Sequence, residues 1–149
     1  LSSDDELVLN ERYPDLLKRL VIEITESDYS REMALYKEAL ARRFGARLAI
    51  DDFGSGYSTL YMLQQVQVDT IKLDRSFFLN MSGQKAKDVI SCLIDLSRHL
   101  KVKTVAEGIE STEQVDFLRS MGCDMIQGYV FSAPIPLNEF EKRYLQDQP

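Results

Sequence analysis

The stretch Leu48-Ala49-Ile50-Asp51-Asp52-Phe53-Gly54-Ser55-Gly56 decides how this chain is read. An apolar run ends in two adjacent carboxylates and then in glycines, as in a buried strand that opens into a loop. Side chains alternate faces along a strand, so Asp51 opposes Ile50. Outward from this segment the design repeats. Leu20 to Thr25 reads as a strand in which Glu23 opposes Ile22 and Ile24. Thr70 to Asp74 is a third strand, with Lys72 opposing Ile71 and Leu73. Lys103 to Ala106 is a fourth, followed at once by Glu107 and Gly108, and Met125 to Gln127 is a short fifth.

Helices are expected between these strands. Arg31 to Phe44 carries Met33, Tyr36, Leu40 and Phe44 at helical spacing and ends at Gly45. Thr59 to Gln65 suggests a short helix. Ala86 to Leu100 is amphipathic, with Val89, Cys92, Leu93, Leu96 and Leu100 on one side. Ser111 caps a helix running to Met121 and stopped by Gly122, and Leu137 to Leu145 closes the chain after Pro134 and Pro136. Such alternation builds parallel βαβ units, either in an open doubly wound sheet or in part of a (β/α)₈ barrel. A length of 149 residues favours the open sheet, since a whole barrel needs about 250. The residue chemistry favours the barrel. Four successive strands each place an ionisable side chain, Glu23, Asp51, Lys72 and Glu107, near a C-terminal end, and barrels gather those ends into one site. Ordinary salt bridging at strand ends is the plainer alternative, but three converging carboxylates and one ammonium call for a divalent ion such as Mg²⁺ or Mn²⁺.

Composition sets the limits. With 18 Lys+Arg against 24 Asp+Glu the net charge is −6, which speaks against a nucleic-acid polymer as partner. No apolar run approaches the roughly 18–20 residues of a membrane span. The start, Leu1-Ser2-Ser3-Asp4-Asp5-Glu6, lacks the pattern of a signal peptide, so a cytoplasmic protein is expected. Two cysteines, Cys92 and Cys123, make neither a disulfide framework nor a zinc pair. Cys92 is expected in the core and Cys123 near the barrel rim. His99 suits the end of its helix. Gly54-Ser55-Gly56 lacks the third glycine of a dinucleotide fingerprint and reads as a turn or switch loop. Tyr129 and Phe131 are expected to pack, with stacking on a guanine as the alternative, and Asp4 to Glu6 to open a solvated helix.

Five ordered segments resemble the motifs of EAL-domain proteins: Glu23-Ile24-Thr25-Glu26, Asp51 to Ser58, Ile71-Lys72-Leu73-Asp74-Arg75-Ser76-Phe77, Ala106-Glu107-Gly108-Ile109-Glu110 and Gln127-Gly128-Tyr129. That family consists of cyclic di-GMP phosphodiesterases on a (β/α)₈-type barrel. The resemblance implies metal ligation by Glu23, Asp51 and Asp52, water handling by Lys72 and Glu107, and a site-lining role for Gln127. It further implies that Glu26 anchors the loop Phe53-Gly54-Ser55-Gly56-Tyr57-Ser58, which is tied to dimerisation and metal control. The expected reaction opens cyclic di-GMP to linear pGpG with a two-metal Mg²⁺ or Mn²⁺ site.

The departure from the pattern is at the start. The only Glu-Ala-Leu tripeptide, Glu38-Ala39-Leu40, falls within a helix and is read as coincidence. Leu1-Ser2 resembles the pair that follows a family metal-ligating asparagine, and Asn10 is a poor substitute for that ligand. The expectation is therefore a partial barrel of about five βα units with its N-terminal strands missing. Residues 1–149 would form the C-terminal part of one EAL-type domain, and 1–19 would be a loop and helix before the first strand present. A homodimer, or association with the missing portion, would cover the open edges. A non-catalytic cyclic di-GMP-binding or interaction module is the rival function.

Overall fold

The computed structural model describes residues 12, 14–25, 30–54, 59–79, 81 and 83–145. The anticipated acidic helix start at Asp4 to Glu6, the Leu1-Ser2 pair, Asn10, Glu26, Ser55 and Gly56 lie outside the described residues. A short helix α1 (Pro14–Leu17) precedes strand β1 (Val21–Ile24), helix α2 (Arg31–Phe44) and strand β2 (Arg47–Phe53). Helix α3 (Thr59–Gln65), strand β3 (Thr70–Leu73), helix α4 (Gln84–Leu100) and strand β4 (Lys103–Ala106) follow. Helix α5 (Thr112–Met121), strand β5 (Met125–Ile126) and helix α6 (Leu137–Tyr144) complete the order.

The five strands form one parallel sheet in the order β1-β2-β3-β4-β5. This order resolves the choice that length alone left open. A doubly wound sheet reverses direction at a switch point and puts helices on both faces. Here every strand is laid beside its predecessor, always on the same side, which is the progression of a barrel wall. The chain is a sector of a (β/α)₈-type barrel.

The two faces of the sheet differ in chemistry. Ile24, Leu48, Ile50, Ile71, Leu73 and Ala106 pack in one buried cluster with Ala34 and Ala41 of α2, Met62 of α3, Ile90 and Ile94 of α4, and Val115 and Leu118 of α5. The alternate residues Val21, Glu23, Arg47, Ala49, Thr70, Lys72, Val105 and Met125 line a concave groove of about 620 Å³, the inner side of the sector. Two matched bonds pin the N-terminal ends of the strands. The Asp69 carboxylate, just before β3, accepts from the Leu48 amide at 2.8 Å. The Asp124 carboxylate, just before β5, accepts from the Thr104 amide at 2.9 Å.

Gly45, Ser111 and Gly122 end or cap their helices as expected, Ser30 adds a cap, and α4 begins at Gln84 rather than Ala86. Ser30 and Ser111 cap α2 and α5 through their side chains, and Gly45 and Gly122 end them at positive φ. The faces differ from expectation. In α2 the buried residues are Ala34, Glu38, Ala41 and Phe44, while Met33 and Tyr36 are 43% and 53% exposed. Small residues at the contact let the helix lie close to β1 and β2, and buried Glu38 is satisfied by Arg42 and by the Gln67 amide at 3.3 Å. Glu38-Ala39-Leu40 is thus part of a helix, and its acid is spent on Arg42. In α4 the buried residues are Ile90, Ile94 and Ser97, with Val89, Cys92 and Leu100 exposed. Cys92 is therefore not a core residue. Tyr129 and Phe131 are 67% and 55% exposed, so the expected packing of both rings is also corrected.

Candidate active site

Each strand delivers one side chain to the C-terminal mouth of the groove. Lys72 of β3 stands at the centre, its Nζ 2.7 Å from Asp51 Oδ1, 3.0 Å from Glu23 Oε1 and 3.2 Å from Glu107 Oε1. Lys72, Asp51 and Glu107 keep only 17–18% of their side-chain surface exposed, and Glu23 on β1 keeps 41%. An ammonium has three donors, and here each meets a carboxylate.

The backbone explains how these groups are aimed. The Lys37 ammonium of α2 donates to the Glu23 carbonyl at 2.7 Å, tying the end of β1 to the helix that follows it. The Glu107 amide donates to the Leu73 carbonyl at 3.1 Å, extending the β3–β4 ladder by one bond. Gln127 extends β5 likewise, its amide donating to the Ala106 carbonyl at 2.8 Å. Its side chain lines the same groove as Glu23 and Lys72.

Asp52 arrives by a different route. Consecutive residues of a regular strand face opposite ways, so Asp51 and Asp52 should diverge. The β2–β3 register shifts between Ile50 and Phe53: Ile50 pairs with Ile71, and Phe53 with Leu73. The extra residue on β2 is a bulge, and Asp52 within it has φ +49°. As a result, carboxylate oxygens of Asp51, Asp52 and Glu107 all lie within 4.8 Å of one another. Neither the bulge nor the backbone turn has a signal in the periodicity of the sequence, though a residue that tolerates positive φ is what such a turn requires.

The loops above are held by close contact. A Cβ on Gly54 would come within 2.1 Å of the Phe77 ring, and one on Gly108 within 2.6 Å of the Arg75 side chain. Arg75 also bridges to Glu110 at 2.7 Å. Phe53 itself is buried, so of the anticipated control loop the described part is anchored in the core at one end.

Electrostatics couple the cluster. Burial alone would lower the affinity of Lys72 for its proton, but bonds to Asp51 and Glu23 and the charge of Glu107 outweigh it and hold the ammonium above the ordinary lysine range. Burial pushes the Glu107 carboxyl up. Lys72 pulls it back, Asp51 and Asp52 push it further, and the net direction is upward. The donor set is carboxylate oxygen throughout, with no imidazole or thiolate among the four acids, which suits a hard divalent ion.

A barrel sector with a polyacidic, lysine-centred site at the C-terminal ends of its strands is the arrangement used by barrel hydrolases that hold divalent ions. Residues 5–134 match the EAL domain family, and the chain belongs to it. The chain is 37% identical over 126 residues to the cyclic di-GMP phosphodiesterase NbdA of Pseudomonas aeruginosa, covering 83% of this chain and 16% of that protein. It spans between 15% and 25% of the length of the first curated relatives it matches. Among solved structures it superposes on the EAL enzyme Bd1971, bound to cAMP and cyclic di-GMP, with a TM-score of 0.83 and 34% identity, covering 91% of this chain and 37% of the other. Klebsiella pneumoniae BlrP1, solved with manganese and cyclic di-GMP, superposes with a TM-score of 0.75 and 31% identity, covering 87% and 33%. No described helix is long and apolar enough to cross a membrane.

Proposed function

We propose that the chain carries the C-terminal part of a single EAL phosphodiesterase domain, residues 1–149, that hydrolyses cyclic di-GMP to linear pGpG. The observation that supports this best is the convergence of Glu23, Asp51, Asp52, Lys72 and Glu107 on one mouth of the sector. Glu23, Asp51 and Asp52 would hold Mg²⁺ or Mn²⁺, which when bound supplies Lewis-acid charge to the phosphodiester and acidity to water.

The side chains divide the remaining work. Glu107, pushed toward its protonated form by its surroundings, is placed to take a proton from the attacking water. Lys72 stays cationic and faces the negative charge that builds on the phosphoryl oxygens. Water adds to phosphorus, one bridging P–O bond breaks, and the freed ribose hydroxyl takes up a proton, so the ring opens to a linear dinucleotide with one terminal phosphate. Gln127 lines the groove in which the substrate would sit. Glu26 and the loop from Phe53 through Gly54, Ser55 and Gly56 to Ser58 would control the site. The same loop is the candidate contact for a homodimer, or for association with the rest of the barrel. The setting we assign is the cytoplasm.

The test is hydrolysis of cyclic di-GMP in Mg²⁺ and in Mn²⁺ by this chain and by a longer chain of the same protein. Metal-dependent turnover by the longer chain, lost in Asp51→Asn, is expected. Failure of the longer chain to turn over substrate in either metal would overturn the proposal. Binding without turnover would assign the domain to the non-catalytic reading.

A further inference from the structure

We propose that Asp69 and Asp124, at the end of the strands far from the mouth, are positioning residues. Each fixes the register of the strand that carries Lys72 or Gln127 into the groove. The proposal deepens the phosphodiesterase reading, and only the kinetic part of its test rests on that reading.

The two carboxylates act alike in two equivalent units. Asp69 Oδ2 accepts from the Leu48 amide at 2.8 Å, and the Asp69 amide donates to the Leu48 carbonyl at 2.8 Å. The Asp69 carbonyl also accepts from the Lys103 amide at 2.9 Å, so one residue indexes β2, β3 and β4 together. Asp124 Oδ2 accepts from the Thr104 amide at 2.9 Å and from the Thr104 hydroxyl at 3.1 Å, and the Asp124 amide donates to that hydroxyl at 3.2 Å. The site residues stand three positions on from each clamped pair: Asp51 and Lys72 from Leu48 and Asp69, Glu107 and Gln127 from Thr104 and Asp124.

Where the clamps fall points to register. β1 with β2 and β3 with β4 each share four aligned residue pairs, and at the base of neither does a described carboxylate bond a strand amide. β2 and β3 share two pairs below their bulge, Ala49 with Thr70 and Ile50 with Ile71. β4 and β5 share two, Val105 with Met125 and Ala106 with Ile126. The clamps sit on the two short ladders. A one-residue slip there would turn the buried Ile71 and Leu73 toward the groove, so alternation forbids it. A two-residue slip keeps every side chain on its face and escapes that penalty. It would carry Lys72 about 6.6 Å along the wall, out of reach of Asp51, which it now meets at 2.7 Å. A carboxylate that accepts from one particular amide specifies against the even slip.

The experiment compares Asp69→Ala, Asp69→Asn, Asp124→Ala and Gly45→Ala. Asparagine keeps an acceptor oxygen in place. Gly45→Ala is the control for lost stability alone, because it strains a residue at φ +65° that ends α2 and bonds no second strand. Kinetics are read in the longer chain. Asp69→Ala is expected to lower kcat by about ten- to a hundredfold with KM little changed, the scale of a small misplacement at a reacting centre. Asp124→Ala is expected to act mainly on KM, because Gln127 lines the substrate groove. Asp69→Asn restores most of kcat, and Gly45→Ala lowers the melting temperature while leaving both constants. The second readout needs no activity: the nitrogen NMR signal of the Lys72 ammonium in the 149-residue chain, identified by its loss in Lys72→Arg. It is expected to shift in Asp69→Ala and to stay in place in Asp69→Asn and Gly45→Ala. Asp69→Ser, whose hydroxyl is too short to reach, takes the place of alanine if that variant does not fold. A folded Asp69→Ala or Asp69→Ser with an unmoved ammonium signal, or with kcat no lower than that of Gly45→Ala, would overturn the proposal, as would an Asp124→Ala with unchanged KM. Absence of turnover by the unaltered longer chain would overturn the phosphodiesterase reading, and the ammonium signal would then decide the positioning role by itself.

Discussion

Single side chains and single hydrogens decide much of this mouth. Asp74 begins the 3₁₀ turn Arg75–Phe77 that follows β3, its carboxylate accepting from the Ser76 amide at 2.9 Å. Burial would raise this carboxyl, but the bonds from Ser76 and from the Arg75 amide outweigh it and hold it below the usual aspartate value of 3.8. A carboxylate depressed in the fold stabilises above its unfolded pKa and loses that contribution as pH falls through the folded value. Asp74→Ala should therefore cost about 1 kcal/mol at neutral pH, and the difference from the unaltered chain should vanish on acidification, as urea unfolding at pH 7 and near pH 2 will test. Gly128 is a steric case. A Cβ there would stand 2.0 Å from the Ile109 carbonyl oxygen, a backbone atom that cannot swing aside. Gly128→Ala should destabilise by about 3 kcal/mol, at the upper end of overpacking costs, with denaturant midpoints as the measure. Asp51→Asn, by contrast, should leave the fold in place and abolish the Mn²⁺-induced rise in melting temperature.

Among the elements, α5 is the best defined by its own sequence. Ser111 and Gln114 cap each other's backbone, and Gln114 Nε2 also donates to the Phe78 carbonyl at 3.0 Å, joining this helix to the turn after β3. Gln114→Glu keeps the capping acceptor but loses that donor, so its cost should exceed that of an ordinary cap change and reach about 1–2 kcal/mol by thermal melting. The ends of α2 and α5 were legible because serine caps and glycine stops act through local backbone geometry, whereas α4 begins at Gln84 after Gly83 and is closed by Lys101, with neither signal. Their buried faces were less legible. Met33, Tyr36, Val89 and Cys92 share helical spacing with core residues, yet the sheet takes Ala34, Ala41, Ile90 and Ile94. The choice of face depends on how closely a helix can approach the strands, and small residues allow the shortest approach. The charges of the site were legible because alternation along a strand is strict. Asp52 was legible only through family resemblance, since its place depends on a bulge between two strands that no single segment encodes.

For the molecule as a whole, the strand order governs what any interruption would do. Glu23, Asp51, Lys72 and Glu107 come from four consecutive strands laid side by side in chain order, so the site is written along the chain like beads on successive rungs. Removing units from the C-terminal side would delete the site residues in reverse order, first Gln127, then Glu107, then Lys72. A chain ending after α4 would retain Glu23, Asp51 and Lys72 but lack Glu107, which meets Lys72 and belongs with Asp51 and Asp52 to the acidic group. During synthesis the cluster would accumulate in the opposite sense. Glu23, Asp51 and Asp52 emerge before Lys72, and Glu107 after it, so the mouth would pass through an interval of unrelieved negative charge that ends only when β3 docks.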